Sequence, residues 1–337
     1  MKAVAYYQNL PIEHAESLID VVLPEPAPGD HDLLVEVKAV AVNPVDVKVR
    51  KGVAPSAGLA KVIGWDAAGV VRAVGAKASR FKVGDRVWYA GALDRAGSNS
   101  ELQVVDERIA GRMPVTLSFA EAAALPLTAI TAWELLFDRL RVLDNDAASG
   151  KTLLVVGAAG GVGSILVQLA RQLTGLTVIG TASRPETQAW VKDAGAHYVI
   201  DHNRPLTLEL ERIGLPAVDY IVGLNQTDRH FEQMAAAVAP QGKIALIDDP
   251  APIDVRQLKR KSVSLHWEMM FTRSLYGTED LAKQHEMLNR VAALVDCGVV
   301  KTTLAAHFGT INAANLKRAH ALLESNTAKG KIVLEGF

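Results

Sequence analysis

The chain has 337 residues, 49% of them hydrophobic and 22% charged, a composition typical of soluble globular proteins and a length sufficient for about two domains. Lys and Arg number 36 against 37 Asp and Glu, so no net field draws the chain onto nucleic acid or an anionic membrane. The single cysteine, Cys297, excludes an internal disulfide framework and any thiolate-rich zinc site built within one chain, and a cytoplasmic enzyme is expected.

The opening "MKAVAYYQNLPIEH" has no basic stretch followed by an apolar one, so no secretory signal is expected. Up to about residue 120, short β-type runs alternate with Gly and Pro: "DLLVEVKAVAV", "AAGVVRAVG", "GDRVWYAG" and "SELQVVD". The stretch "SFAEAAALPLTAITAWELLFDRL" then turns helical, interrupted near Pro126, and a domain boundary is placed there. Beyond it strands and helices alternate strictly, from "TLLVVG" and "VGSILVQLARQL" to "HFEQMAAAVA" and "KIALID". Strands that are apolar throughout fit a parallel sheet covered by helices on both faces, a doubly wound α/β domain of the Rossmann type. The run "TLLVVGAAGGVGSILVQLA" approaches the length of a membrane span, but the glycines at its centre read better as strand, turn and helix.

The first turn of that domain, "VVGAAGGVGS", carries Gly157, Gly160 and Gly163 at three-residue spacing, with Gly161 and Val162 between them. Glycines here let the backbone approach a pyrophosphate, whose charge meets free N–H groups at a helix N-terminus. An acid after the second strand would mark NAD; Ala182 stands there, followed by Ser183 and Arg184, a hydroxyl and a guanidinium suited to a 2′-phosphate. NADPH is therefore expected over NADH. The same residues also read as a capping box, Ser183 with Glu186, ahead of Pro185. His202 in "VIDHN" is either a neighbour of the adenosine phosphate or a solvent-facing loop histidine. Leu246 and Ile247, closing "KIALID", and Lys331 in "GKIVL" complete the expected cofactor-binding set.

The motifs "VNPVDVKVRKG", "GWDAAGVVRAVG", "FKVGDRVW", "AAALPLTAITAW", "GAAGGVGS" and "GKIVL" stand in an order that resembles the medium-chain dehydrogenase/reductase superfamily. Within it the chain is similar to the zeta-crystallin-like quinone oxidoreductases and the zinc-type alcohol dehydrogenase-like proteins. The resemblance implies a GroES-like β-barrel domain, residues 1–123 and 269–337, with a Rossmann domain, 124–268, inserted. It also implies an active site in the cleft between them and a homodimer. Metal-using relatives bind zinc through Cys, His and Cys; the matching positions here hold Asn43, Trp65 and about Leu127, with Asp66 where a Glu follows the His. No zinc is expected, because an amide, an indole and an isobutyl group are not zinc ligands. Nor do His197, Asp201 and His202 of "HYVIDH" make a cluster, since the third points away on a strand.

Without a metal, quinones and enones or enals are the acceptors expected, since their developing oxygen charge needs only hydrogen-bond donors and a proton. The resemblance points to Asn43, Asp46 and Thr131 as catalytic. Asn43 and Asp46 also read as a turn residue and a first-turn helix acid, and Thr131 as a hydroxyl bonded within its own helix. Trp65, Tyr89 and Trp267 are candidate pocket walls or core residues. Cys297 is expected to be a buried small hydrophobe. The competing functions are a zinc-dependent alcohol dehydrogenase and a non-catalytic NADPH-binding sensor or RNA binder, the latter drawing on "QLKRKS".

Overall fold

In the computed structural model, which describes residues 1–142 and 150–337, the chain divides into one unit of residues 1–130 with 271–337 and another of 131–270. The division falls inside a helix, Pro126–Trp133, seven residues beyond the expected boundary at 123, and after the strand Ser264–Trp267, two residues beyond that at 268. The proline near which the pattern breaks begins that helix and does not end a domain.

The first unit is β-rich. Its strands are β1 (Lys2–Tyr6), β2 (Ile19–Val22), β3 (Asp32–Val42), β4 (Lys61–Val62), β5 (Ala67–Val74), β6 (Arg86–Tyr89), β7 (Leu102–Asp106) and β8 (Ala110–Arg112), with α1 (Pro44–Gly52) after β3. Next come α2 (Phe119–Ala123) and α3 (Pro126–Trp133). Alternation along β3 buries Leu33, Val35 and Val37, then the strand is buried on both faces from Ala39 to Val42. β3 pairs antiparallel with β5 and β7, and also with the last strand of the chain. Its C-terminal end therefore lies deep in the sheet, and Asn43 and α1 follow directly from it.

The second unit holds β9 (Thr152–Val156), α4 (Gly161–Leu173), β10 (Thr177–Thr181), α5 (Pro185–Asp193), β11 (Tyr198–Ile200) and α6 (Leu206–Arg212). It continues with β12 (Val218–Gly223), α7 (Thr227–Ala237), β13 (Val238–Leu246) and β14 (Ser264–Trp267). Its strands form one parallel sheet in the order β11-β10-β9-β12-β13-β14, the doubly wound order with its switch point between β9 and β12. Every residue of β9 is buried, as a central strand covered on both faces requires. The apolar run read against a membrane span is this strand, its turn and α4. Another segment, Phe119–Arg139, is apolar and long enough to span, yet 83% of it is buried within the protein.

The chain then returns to the first unit through α8 (Thr272–Tyr276), α9 (Lys283–Asp296), β15 (Leu304–His307), α10 (Ala313–Glu324) and β16 (Lys331–Glu335). β16 joins β3 with Ile332 opposite Val42, so the C-terminal segment completes the first sheet and carries Lys331 to Asn43. Cys297 follows α9 and is exposed, contrary to the expectation of burial: the apolar stripe of α9 ends at Val295, before it.

Candidate functional site

In the first unit, Asn43, Asp46, Asp66 and Lys331 meet in one buried network. Asp46 and Asp66 are fully buried, Asn43 is 1% exposed and Lys331 3%. The Lys331 ammonium donates to the Val42 carbonyl at 2.8 Å, Asn43 Oδ1 at 2.5 Å and Asp66 Oδ2 at 2.9 Å, so its three protons each have an acceptor. Asn43 Nδ2 donates to Asp66 Oδ2 at 2.8 Å, with a longer contact of 3.4 Å to the Ala41 carbonyl. The Leu127 N–H donates to Asp66 Oδ1 at 2.8 Å. Asn43 thus has its amide committed within the protein, and Lys331 faces a carboxylate.

Two carboxyl groups share this single ammonium. Asp66 accepts from Leu127, Asn43 and Lys331, whereas Asp46 Oδ2 accepts the Asn43 N–H at 2.5 Å, its Oδ1 lies without a close partner, and the Gly64 backbone N–H also pulls the group down. Burial raises both, and it pushes Asp46 up to about 7, against the pull of the Asn43 N–H and Lys331 and with the help of the Asp66 charge. The folded protein therefore keeps a proton on Asp46 over a range where the unfolded chain, titrating at about 3.9, has released it. Stability falls as pH rises through that window, by on the order of 4 kcal/mol for a shift of about three units. Asp46→Asn, which needs no ionisation, should gain stability relative to the wild type between pH 5 and pH 8. Urea unfolding at both pH values checks this; an unchanged difference would show that Asp46 is not the group taking up the proton.

Trp65 lies in the turn between β4 and β5. It is 1% exposed, donates Nε1–H to the Ala92 carbonyl at 3.1 Å, and meets Phe271 edge-to-face at 6.4 Å between centroids. Its neighbour Gly64 has φ +112°, and a Cβ there would sit 2.7 Å from Ser98 Oγ and Asn99 Oδ1, so the turn admits no side chain. Tyr89, on β6, is also 1% exposed, with its hydroxyl buried and unpartnered; burial holds its pKa above the usual phenol value. Trp267 belongs to the other unit and is 53% exposed at the end of edge strand β14. Thr131, also in the second unit, is 5% exposed on α3. The structure brings Asn43 and Asp46 together and adds Asp66 and Lys331.

The glycine turn sits in the second unit. Gly157 has φ +87° and donates its N–H to Thr181 Oγ1 at 3.1 Å. A Cβ on Gly163 would meet the carbonyl oxygens of Gly157 and Ala158 at 2.5 Å, so the start of α4 packs on the turn only with glycine there. Gly160 caps α4 without a side-chain bond, and the first turn holds no acid. Gly161 and Val162 are thereby the first residues of a helix whose first turn carries no acid, an arrangement that fits a pyrophosphate. Ser164 accepts from Trp190 Nε1 at 2.7 Å, tying α5 to α4.

The expected Ser183–Glu186 capping box does not form. α5 begins at Pro185, which makes Arg184 the N-cap and Thr187 its third helical residue; Thr187 Oγ1 accepts from the Arg184 N–H at 3.3 Å. Glu186 instead pairs with the Arg184 guanidinium at 3.2 Å. Ser183 and Arg184 remain at the end of β10, partly exposed. His202 is half-buried, with Nδ1 3.2 Å from Thr181 Oγ1. His197 Nδ1 accepts from the Val178 N–H, so it serves the sheet. Leu246 is buried at the end of β13, and the Ile247 N–H donates to the Gly223 carbonyl at 3.3 Å.

Among the described residues no group of three or more His, Cys, Asp or Glu could hold a metal ion. The residues at the positions matching zinc ligands do not fit zinc. The Asn43 amide and the Trp65 N–H are bonded within the protein, Leu127 contributes only its backbone N–H to the network, and Asp66 already faces an ammonium.

Comparison with known proteins gives a family and divided names. An alcohol dehydrogenase GroES-like domain model matches residues 29–131, and a zinc-binding dehydrogenase model matches residues 194–334. A zinc-type alcohol dehydrogenase-like protein of Staphylococcus aureus (strain MSSA476) is 38% identical, covering 99% of both chains. A quinone oxidoreductase of Pseudomonas aeruginosa is 32% identical, covering 91% of this chain and 92% of that one. Among solved structures, a Rhizobium etli CFN 42 protein provisionally named a zinc-dependent alcohol dehydrogenase matches with a TM-score of 0.97 and 56% identity, over 100% of this chain and 98% of that one. Escherichia coli quinone oxidoreductase complexed with NADPH matches with a TM-score of 0.85 and 26% identity, over 99% and 100%.

Proposed function

This chain belongs to the medium-chain dehydrogenase/reductase superfamily, and from that premise we propose that it is an NADPH-dependent, metal-free cytoplasmic oxidoreductase that passes hydride to a quinone or an α,β-unsaturated carbonyl. That it is an NAD(P)-dependent oxidoreductase follows from the family; the metal-free chemistry and the acceptor class are inferred from the site. One observation carries them: where a metal-using relative gathers ligands, this chain has a closed network of Lys331, Asp66, Asn43 and the Leu127 N–H. A carboxylate saturated by an ammonium and two N–H donors has no call for a cation, and Trp65 presents an indole where an imidazole would be needed.

The cofactor, when bound, supplies the hydride. The chain's own residues hold it: the uncapped start of α4 receives the pyrophosphate, and Ser183 and Arg184 at the end of β10 receive the 2′-phosphate. Asn43 acts as a fixed element, its amide locked by Lys331 and Asp66. Asp46, which burial pushes up to about 7, keeps its proton to a higher pH than an ordinary surface carboxylate does. A conjugated acceptor suits this set, because its oxygen requires donors and protonation in place of a Lewis acid. The basic cluster that motivated an RNA-binding alternative is partly committed: Lys261 donates to the carbonyls of Ala235, Ala236 and Val238 at 3.0, 2.6 and 2.8 Å, closing the end of α7.

The test is an acceptor screen that follows NADPH and NADH consumption in parallel with simple quinones, enones, enals and alcohols, with and without a chelator. Turnover of quinones or enals by NADPH, unaffected by the chelator, is expected. Alcohol oxidation abolished by the chelator and restored by zinc would overturn the reading. Tight NADPH binding with no turnover of any acceptor would instead favour a sensor.

A further inference from the structure

Beyond the residues that face a 2′-phosphate by sequence position, the second unit holds two histidines that the hydride chemistry leaves unused. β10 ends at Thr181, whose Oγ1 accepts from the Gly157 N–H of the glycine turn at 3.1 Å and lies 3.2 Å from His202 Nδ1. His202 in turn meets His230 of α7 edge-to-face, with centroids 5.8 Å apart. The end of the second strand is where a doubly wound fold seats the adenosine ribose. An imidazole pair is thus wired through one hydroxyl to the turn expected to hold the pyrophosphate.

We propose that His202 reads the 2′-phosphate of NADP(H) by taking up one proton from solvent when the phosphate binds, and that His230 is a positioning residue that holds the His202 ring and stays neutral. This rests on the NADP(H) reading above. The geometry allows the change at little cost. The Gly157 N–H takes one of the two lone pairs of the Thr181 hydroxyl, which leaves an O–H to donate to Nδ1 of a neutral His202 and a second lone pair to accept from Nδ1–H of a charged one. His202 therefore keeps its hydrogen bond in both protonation states. His230 does not: its Nδ1 is buried without a partner, so a second proton would leave an unsatisfied cationic N–H.

The groups facing the pair set its resting state. Burial and Arg229 hold His202 below the ordinary imidazole value, with Asp201 opposing them. Burial, His202 and Arg229 hold His230 down, against Asp228 and Asp248. Asp248 is itself bound to the Thr227 N–H and hydroxyl, at 2.8 and 2.6 Å, so it caps α7 and does not reach for a proton. Both rings are therefore biased toward the neutral form until a dianionic phosphoryl group arrives, and its charge favours the imidazolium.

The experiment is calorimetric titration of the full-length protein with NADP⁺ and with NAD⁺, from pH 6 to 8, in buffers of different ionisation enthalpy. NADP⁺ should bind with uptake of up to one proton and weaken about tenfold across that range, while NAD⁺ shows neither effect. His202→Gln should abolish the uptake and the pH dependence while NAD⁺ binding persists. The ester phosphate's own ionisation, near pH 6, is common to both proteins and cancels between them. His230→Phe, which keeps a ring, should retain the uptake. Loss of uptake in His230→Phe with retention in His202→Gln would reverse the assignment and overturn it. Tight NADP⁺ binding without proton uptake by the wild type would overturn it while leaving the cofactor reading intact. Binding of neither nucleotide would remove that reading and this inference together.

Discussion

Exchanging Lys331 for methionine should lower the stability of the protein by about 3–5 kcal/mol, the range seen when one member of a buried ion pair is removed. For a unit of this size that corresponds to a fall in Tm of roughly 6–20 °C. Methionine matches the length of the lysine stem, so little packing is lost. What disappears is a cation that satisfies Asp66, Asn43 Oδ1 and the Val42 carbonyl at once, all of them buried. Asp66 is then left with Leu127 and Asn43 as donors and no counter-charge, and burial raises it further. The loss should be larger at pH 8 than at pH 5, because at the lower pH the uncompensated carboxyl can take up a proton and at the higher it must stay charged or hold its proton at a cost. Chemical unfolding at the two pH values measures this. The double variant Asp66→Asn with Lys331→Met should recover part of the loss, since it removes the charge along with its partner. A single variant as stable as the wild type would mean that Lys331 does not neutralise Asp66, and the reading of this cluster as the substitute for a metal centre would fail with it.

The doubly wound sheet and the β-rich remainder were legible because their signals are local: alternation in "DLLVEVKAVAV", apolar runs separated by amphipathic helices, glycines at the first turn. Asn43 and Asp46, three residues apart at the start of α1, are singled out by the family resemblance of "VNPVD"; read locally they are only a turn residue and a first-turn acid. The pairing that gives them meaning was not legible, because Asp66 and Lys331 are 265 positions apart and meet only when β16 closes on β3. A lysine at the head of an apolar strand was the available signal; it drew attention as a cofactor ligand, while the structure commits all its donors inward. His230 gave no sign at all, being one histidine in a polar helical stretch until α7 brings it to His202. The capping box failed by one residue, since both Ser183 and Arg184 stand before a proline and only the fold decides which is the cap. Cys297 lies outside because the amphipathic pattern of α9 has its last buried position at Val295, and the helix stops before the stripe returns.

Arg184→Ala should weaken NADPH binding by about 10- to 150-fold, the equivalent of one charge-assisted hydrogen-bonded contact of about 1.5–3 kcal/mol, and leave NADH unchanged. The structure makes this a clean substitution. Arg184 caps α5 through its backbone, with its carbonyl accepting from the Thr187 N–H and hydroxyl at 3.0 and 2.9 Å, and alanine keeps both bonds. Its side chain pairs with Glu186 at the surface, both partners about half exposed, and such a pair contributes little to stability. A phosphate can therefore displace Glu186 from the guanidinium, and the carboxylate then opposes the incoming charge. Glu186→Gln should act in the other direction, tightening NADPH by a few-fold at low salt, with the gain fading as ionic strength rises. Opposite signs from two neighbouring residues cannot come from a disturbed helix, which would weaken both cofactors alike. The measurement is binding of NADPH and NADH to the three proteins at two salt concentrations. Equal losses for the two cofactors in Arg184→Ala would place the guanidinium outside the 2′-phosphate site, and would leave the Ser183 hydroxyl and the absence of an acid at Ala182 as the sequence grounds for preferring NADPH.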